Sequence, residues 1–463
     1  MKGISFESRR KNKYFYDNET GQIVCTENDP GLEVIKKKFN IQSTQKIKAI
    51  VISDLEQYLY TEGNGFKQLI LEVSSACNLR CKYCIYSEHY PYTRDHGTSR
   101  MSWEIAKESV DFYYSNFKKI FERNPMRKSI ISFYGGEPLT NLPLLKRVVN
   151  YINEMYSEYE VLYNITTNGL LLTSDIQKFL YDNHFSVLIS LDGYPENHNR
   201  NRVDVNGGDT AHIILRHINE YKDSFPDASL SIATCFDYKT DFEKLANFFD
   251  DNELSVIHTG QVQAQNSTYY SQFTDTDEVE FFEKYNKLKE TFFEKAISND
   301  IDKNKFLYRF FGSIYATLAF HPMIREASPL IRPFTGTCVP GEKLYVTTEG
   351  NFQICEKINS AYEIGSIREG LDLNRIVKVL NDYNENICKN CEKCPISRLC
   401  NLCFKNFETE NGFERNHKVC LQQRNTMKSL LTDFVSMLEE NPKLFEEVTT
   451  DYFKSMSEVG ECI

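Results

Sequence analysis

The sequence predicts an α/β protein: a partial, TIM-like (β/α)6 barrel preceded by a small N-terminal element and followed by a cysteine-rich C-terminal domain. Three observations predict it. Six short apolar runs alternate with helical patterns between residues 69 and 262, as parallel strands with right-handed crossovers require. Of the 14 cysteines, three lie between Cys77 and Cys84 and eight between Cys338 and Cys420. Residues able to do chemistry follow directly after the strand-like runs, the end of a barrel sheet where active sites are built.

The 463 residues suffice for two to three domains, and 41% hydrophobic with 26% charged is an ordinary globular composition. A balance of 54 Lys+Arg against 65 Asp+Glu gives a net charge of -11, which argues against a general nucleic-acid binder. No apolar run approaches the roughly 18 residues of a membrane span. The N-terminus is polar and basic without an apolar signal core, so the expectation is a cytoplasmic protein with no membrane partner. Disulfides do not persist in that compartment, so the clustered thiols point to metal.

In chain order, Tyr14–Val24 reads as a hairpin with an Asn/Gly-containing turn, followed by an amphipathic helix carrying Leu32, Val34, Ile35 and Phe39. The strand-like runs are Leu69–Val73, Ser129–Tyr134, Val161–Thr166, Val187–Leu191, Leu230–Thr234 and Ser255–Val262. Between them lie helical patterns at Trp103–Phe117, Leu142–Tyr156, Ser174–Asp182, Thr210–Tyr221 and Asp241–Phe249. Phe281–Leu318 and Thr426–Phe453 read as packing helices, and Trp103 as core.

After the first strand, Cys77, Cys81 and Cys84 form C-x3-C-x2-C. Three close thiolates suit a [4Fe–4S] cube with one iron free of protein ligands. A zinc site would need a fourth ligand, for which His89 is nearest. After the second strand comes Tyr134-Gly135-Gly136-Glu137-Pro138, where paired glycines let backbone approach a ligand and a carboxylate can bind an ammonium. Asn168 follows the third strand, and Ser190 and Asp192 the fourth. The C-terminal group is Cys338, Cys355, Cys388, Cys391, Cys394, Cys400, Cys403 and Cys420, enough for two four-cysteine sites; its dense run, with Pro395 directly after a cysteine, reads as ferredoxin-like, and a pair of zinc ribbons is the alternative.

At these residues the sequence resembles the radical S-adenosylmethionine (SAM) enzymes, whose C-x3-C-x-aromatic-C signature is matched by Cys77, Cys81, Tyr83 and Cys84 and whose Gly-Gly-Glu-Pro run is matched by Gly135, Gly136, Glu137 and Pro138. The resemblance implies a cluster whose free iron is chelated by SAM, with residues 135–137 holding the methionyl ammonium. It also implies that Asn168, Ser190 and Asp192 contact the methionyl or ribose part and that Arg202 pairs with the methionyl carboxylate; the bland alternative for Arg200 and Arg202 is solvated loop charge. The C-terminal cysteines resemble the SPASM extension. By that resemblance Cys391, Cys394, Cys400 and Cys420 hold an outer auxiliary cluster, and Cys338, Cys355 and Cys403 an inner one. Its fourth ligand is Cys388 or a position that a substrate thiolate fills. Cys400 and Cys403 are separated by two residues where the pattern has three, and Cys388 is additional.

Within that superfamily, the segments around Cys84, Gly135 and Cys355 look like maturases of cysteine-rich ribosomal peptides. This implies three [4Fe–4S] clusters, SAM, a precursor peptide with a leader, and an electron donor such as flavodoxin or ferredoxin. It divides the chain into a winged-helix-like leader-recognition element (1–62), a radical SAM barrel with bridging helices (63–330), a SPASM domain (331–425) and a C-terminal helix and tail (426–463). The expected reaction is Cys thioether crosslinking by a 5′-deoxyadenosyl radical, with Glu356 taking a proton. Alternatives are sulfatase formylglycine formation, C–C crosslinking, epimerisation with Cys235 as hydrogen donor, or a non-catalytic zinc adaptor. A lone strand cysteine such as Cys235 otherwise reads as a core hydrophobe; Cys25 and Cys462 carry no expected role.

Overall fold

The structure, a computed structural model, describes residues 2–444 apart from Glu27, 39–46, Tyr92, Arg94, Lys303, 321–335 and Asn359. Phe39, Cys462, the 330/331 boundary and the end of the expected C-terminal helix lie outside the described residues.

The chain opens with a three-stranded antiparallel sheet, β1 (Gly3–Glu7), β2 (Lys13–Asp17) and β3 (Ile23–Val24), followed by α1 (Pro30–Lys38). The expected hairpin is β2–β3: Gly21, at φ +79°, donates its N–H to the Asp17 carbonyl, and the Asp17 carboxylate accepts from Thr20 N and Oγ1. Sequence reading missed β1, a five-residue run whose register runs from Gly3↔Asp17 to Glu7↔Lys13. The amphipathic reading of α1 needs correcting, because Leu32 is buried but Val34 is 63% exposed. This sheet docks through polar bonds. Asn18 Nδ2 donates to Ser397 Oγ at 2.8 Å, and the Arg398 guanidinium donates to the Asn18 and Glu19 carbonyls.

After the short α2 (Ile52–Glu56) comes the central ten-stranded sheet, ordered β13-β12-β11-β10-β4-β5-β6-β7-β8-β9. Its heart is six parallel strands in chain order: β4 (Gln68–Ser74), β5 (Ser129–Gly135), β6 (Val161–Thr167), β7 (Ser186–Ser190), β8 (Leu230–Phe236) and β9 (Val256–Gln261). Between them run α3 (Trp103–Phe121), α4 (Leu142–Met155), α5 (Ser174–Asp182), α6 (Pro195–Asn201) with α7 (Ala211–Ser224), and α8 (Phe242–Asp251). The helices form where expected because their apolar residues recur on one face. In α4, Leu144, Leu145, Val148, Val149 and Ile152 are all buried, each contributing about 1.5–3 kcal/mol. Ser102 caps α3 by accepting from Ile105 N. Trp103 is half-buried, its ring under the Arg147 guanidinium and edge-on to Tyr151.

Strands β6 to β8 alternate strictly. Tyr163, Ile165, Val187, Ile189 and Ile232 lie buried, while the less buried Asn164, Thr166, Leu188, Ser190, Ser231, Ala233 and Cys235 line an interior cavity of about 520 Å3 that Ile165 and Val187 also border. The inner face is therefore small and largely polar, leaving space where a closed barrel would be filled by branched side chains.

Two helices, α9 (Asp275–Ile297) and α10 (Phe306–Phe320), precede a second sheet segment: β10 (Lys343–Val346), β11 (Asn351–Gln353), β12 (Glu363–Ser366) and β13 (Gly370–Leu371). Then follow α11 (Leu373–Asn386) and α12 (His417–Glu440). Strand β10 pairs parallel to β4, Lys343↔Gln68 through Val346↔Leu71, and so joins the cysteine-rich segment to the barrel sheet. Asp433 on α12 is buried and accepts from Arg9 (3.1 Å) and Lys289 (3.0 Å), joining the N-terminal hairpin, α9 and α12. Among the described residues no helix is long and apolar enough to cross a membrane.

Candidate active site

The loop after β4 carries Cys77, Cys81 and Cys84, and all three line a cavity of about 370 Å3 with Gly135, Gly136, Asn168, Ser190 and Arg202. This cavity adjoins the barrel interior, sharing Ser190, Arg202, Cys235 and Lys357 with it. The sequence-predicted residues thus converge, but several act differently from expectation.

The paired glycines allow close approach to the cysteine loop's own backbone. A Cβ on Gly135, at φ +146°, would meet the Ser74 carbonyl oxygen at 2.1 Å, and one on Gly136 the Ala76 carbonyl at 2.4 Å. Gly136 N and Glu137 N donate to the Ser74 and Ala76 carbonyls, both at 2.8 Å. The turn therefore clamps the segment leading into Cys77. The Glu137 carboxylate is buried and faces its neighbours: it accepts from Thr167 Oγ1 (2.7 Å), Asn168 N (2.8 Å) and Leu139 N (3.1 Å), tying the β5 turn to the β6 turn. Burial pushes its carboxyl up to about 7 against the pull of those three donors. Pro138 opens the 3-10 turn that follows.

Arg200 and Arg202 are not solvated loop charges. Arg200 reaches the fully buried Asp237 at 2.5 Å. Arg202, buried at the cavity edge, donates from Nε to Asp192 Oδ2 at 3.0 Å and holds Nη1 3.8 Å from Cys81 Sγ. Its guanidinium lies 5.3 Å from the Tyr83 ring centre. Asp192 is buried behind it, its carboxylate shared by the Tyr83 hydroxyl, Arg202 and Cys235 N (3.0 Å). Asp192 thus positions Tyr83 and Arg202 and does not line the cavity. Asn168 Nδ2 sits 2.8 Å from Asn78 Oδ1 and 3.8 Å from Cys77 Sγ. His89, the candidate zinc ligand, has Nδ1 on Thr268 Oγ1 at 3.0 Å and its ring edge-on to Tyr269.

Burial pushes the Cys77 thiol up to about 11 and Cys81 to about 12, Arg202 opposing the second shift. Among the described residues no three His, Cys, Asp or Glu side chains converge on a single-ion shell. Three sulfurs around one cavity, approached by Leu79 N, Asn168 Nδ2 and Arg202 Nη1, fit a multi-iron cluster, whose thiolates need metal to stay deprotonated and are tuned by such donors.

The C-terminal cysteines fall into two sets. Burial raises the Cys355 thiol, with Glu356, Cys338 and Cys403 adding to the shift. Cys400 is raised to about 12 by burial, then by Cys391, Cys394 and Cys420. Cys388, fully buried, hydrogen-bonds with Cys391 and so lies beside the second set, not with Cys338, Cys355 and Cys403, the set whose fourth ligand it was a candidate to be. Glu356 lines the barrel cavity, and its carbonyl accepts from Tyr86 OH at 3.4 Å, linking the two cysteine-bearing segments. Cys235 lines both cavities instead of filling a core. Sequence reading missed Lys357 and Lys405, which line the cavity beside Cys77, Cys81 and Cys84. Each stands two residues after a cysteine, Cys355 or Cys403, and that spacing was the signal available.

Residues 71–249 match the model of the Radical SAM superfamily. The chain is 23% identical over 348 residues to a cysteine-type anaerobic sulfatase-maturating enzyme of Clostridium perfringens, covering 72% of this chain and 86% of that one. It is 28% identical over 255 residues to the radical SAM cyclopropyl synthase TigE of Paramaledivibacter caminithermalis, covering 53% and 51%. Its fold is like that of histidine-tagged anSMEcpe with bound AdoMet, with a TM-score of 0.61 and 20% identity, covering 84% of this chain and 98% of that one. With a three-cysteine loop clamped by a Gly-Gly-Glu turn at the mouth of a six-strand parallel sheet, residues 71–249 form a domain of the Radical SAM superfamily, and over its longer matches the chain is similar to anaerobic sulfatase-maturating enzymes.

Proposed function

We propose that the chain is a peptide maturase that closes thioether crosslinks in a cysteine-rich ribosomal precursor peptide. The observation carrying this reading is the continuity of the cavity at Cys77, Cys81 and Cys84 with the barrel interior bearing Glu356, next to Cys355. Cys77, Cys81 and Cys84 would hold one [4Fe–4S] cluster, Cys338, Cys355 and Cys403 an inner one, and Cys391, Cys394, Cys400 and Cys420 an outer one. When bound, the first cluster would supply the electron for reductive cleavage of SAM to a 5′-deoxyadenosyl radical, and an inner cluster would supply an acceptor for the electron released on C–S closure.

The chain's own residues then position and shield. Gly135 and Gly136 fix the cysteine loop, Asn168 and Ser190 present polar groups to SAM, and Arg202, oriented by Asp192, places a positive charge beside Cys81 and the methionyl carboxylate. Tyr83, Tyr90 and Val262 wall the cavity against water. The small polar inner face of β6 to β8 leaves room for an extended peptide segment. Glu356 accepts the proton of the attacking thiol. Closing each crosslink removes one C–H and one S–H hydrogen, forming one C–S bond. In chemical terms, one hydrogen atom leaves to the radical, one proton to Glu356 and one electron to the acceptor. The leader docks on the N-terminal sheet by adding a strand beside one of its edge strands, β1 or β3.

The longer match to the sulfatase maturase favours a second reading, oxidation of a sulfatase cysteine to formylglycine. Anaerobic incubation of the reconstituted chain with SAM, reductant and, in parallel, a cysteine-rich precursor peptide bearing a leader or a cysteine-containing sulfatase peptide separates the two. Thioether closure gives 5′-deoxyadenosine, loss of two hydrogens per crosslink, and a thiol that no longer alkylates. A processed sulfatase peptide with an unmodified precursor would replace the first reading with the second.

A further inference from the structure

Lys357 and Lys405 are not used by the mechanism above, yet both line the cavity that holds Cys77, Cys81 and Cys84. Their placement is built rather than incidental. Lys357 N donates to Cys355 Sγ at 3.4 Å, and the Lys405 amide likewise bonds to Cys403, so each backbone is fixed on a cysteine of the inner set. The side chain of Lys357 is 54% exposed, and that exposure is to the cavity; it lines the barrel interior as well. Among the described residues its one ion pair is with Glu356 at 3.8 Å, too long for a hydrogen bond. Among the described residues Lys405 has no ion pair.

The remaining charges leave this region positive. Glu137, the one carboxylate lining the first cavity, is committed to Thr167, Asn168 and Leu139, Asp192 is paired with Arg202, and Glu356 lies 3.8 Å from Lys357, so the charge of Lys405 is the one left over. Two ammonium groups lining one cavity, each two residues after a cysteine of the inner set and facing the Cys77, Cys81 and Cys84 loop, make a cradle for an anion.

We infer that Lys357 and Lys405 form a carboxylate-binding subsite that selects peptides carrying an acidic side chain or a free C-terminus near the reacting residue. This rests on the peptide-maturase reading and names the substrate class for it. Carboxylate and ammonium groups are matched by charge and by the three donors of each lysine.

The test uses the reconstituted full chain with SAM and three fluorescein-labelled hexapeptides, each with one cysteine. One carries an aspartate and an amidated end, one replaces that aspartate by asparagine, and one is the asparagine peptide with a free C-terminal carboxylate. Fluorescence anisotropy should show at least one carboxylate peptide binding about tenfold more tightly than the amidated asparagine peptide, the gain of one charge-assisted contact. Which one binds assigns the carboxylate's source. The preference should fall to about one in Lys357→Gln/Lys405→Gln and survive in Lys357→Arg/Lys405→Arg, which shows that the site still folds. No preference in the wild type, no detectable binding of either carboxylate peptide, or a preference surviving in the Gln variant overturns the inference. So does a loss of affinity equal for all three peptides together with a shifted cluster midpoint, which would make the lysines cluster counter-charges. A preserved carboxylate preference with no peptide ever modified would sink the maturase reading alone. Peptide modification with no preference would sink the subsite alone.

Discussion

Replacing Arg202 by methionine tests the chemistry of the three-cysteine loop through a quantity other than turnover. The guanidinium Nη1 lies 3.8 Å from Cys81 Sγ. At an effective dielectric of about 20, unit charges about 4 Å apart interact by about 4 kcal/mol. An electron added to a cluster there is spread over the cube, so about half of that, about 2 kcal/mol, reaches the arginine. At 59 mV per 1.36 kcal/mol for one electron, the midpoint of the cluster should fall by about 90 mV in Arg202→Met. Unmasking the Asp192 carboxylate, otherwise paired at 3.0 Å, pushes the same way. Arg202→Lys, which keeps the charge but not the Nε contact to Asp192, should shift it by less. Leaving Asp192 buried without its partner costs about 3 kcal/mol, so circular dichroism must first show a folded variant. The assay is a redox titration followed by electron paramagnetic resonance. A folded Arg202→Met whose midpoint stays within about 20 mV of wild type would rule out this electrostatic role for the guanidinium.

Glu137 makes stability pH-dependent. Its carboxyl is raised from 4.5 to about 7 in the fold, so the folded chain binds a proton that the unfolded chain releases. The associated stability is full below about pH 4.5 and is lost as pH rises through 7, at most about 3 kcal/mol at 1.36 kcal/mol per pH unit. Urea midpoints read from the single Trp103 should therefore fall from pH 5 to pH 8 in wild type and change less in Glu137→Gln; parallel curves would contradict this. Gly136→Ala puts a Cβ 2.4 Å from the Ala76 carbonyl oxygen, so the cysteine loop must shift. Bound iron and SAM affinity measured by equilibrium dialysis should drop together, and a variant normal in both would remove the clamp. Asp433→Ala strands Lys289 and leaves Arg9 its pair with Glu290 alone, and because Arg9 is partly exposed the cost should be about 2 kcal/mol, seen as a lower unfolding temperature with earlier proteolysis of the N-terminal hairpin.

The six parallel strands were legible because each apolar run is short, bounded and followed by a helical repeat, and strand-end placement alone brought Cys77, Gly135, Asn168 and Ser190 together. What sequence could not show was direction. Glu137 reads as a ligand for an ammonium until its three donors are seen, and Asp192 as a cavity residue until Tyr83, Arg202 and Cys235 N are found to occupy it. Arg202 read either as a ligand contact or as a solvated loop charge, because its burial depends on contacts more than 100 residues away along the chain, as with Cys81. Strand β10 was missed because a four-residue run gives little periodicity, although the Thr347–Asn351 turn with Gly350 at φ +89° is a hairpin signal. Helix α1 misled at Val34, which stands two residues from Leu32 and therefore on the opposite side of the helix from the contact that the fold buries.

Binding of SAM to a cluster on the Cys77, Cys81 and Cys84 loop is the claim on which the proposed chemistry depends. Electron paramagnetic resonance of the anaerobically reconstituted, reduced chain, recorded with and without SAM, measures it directly. The expected signal changes shape on addition of SAM and disappears when those three cysteines are replaced by alanine. A spectrum indifferent to SAM, or one that keeps its SAM response in the triple variant, would contradict it.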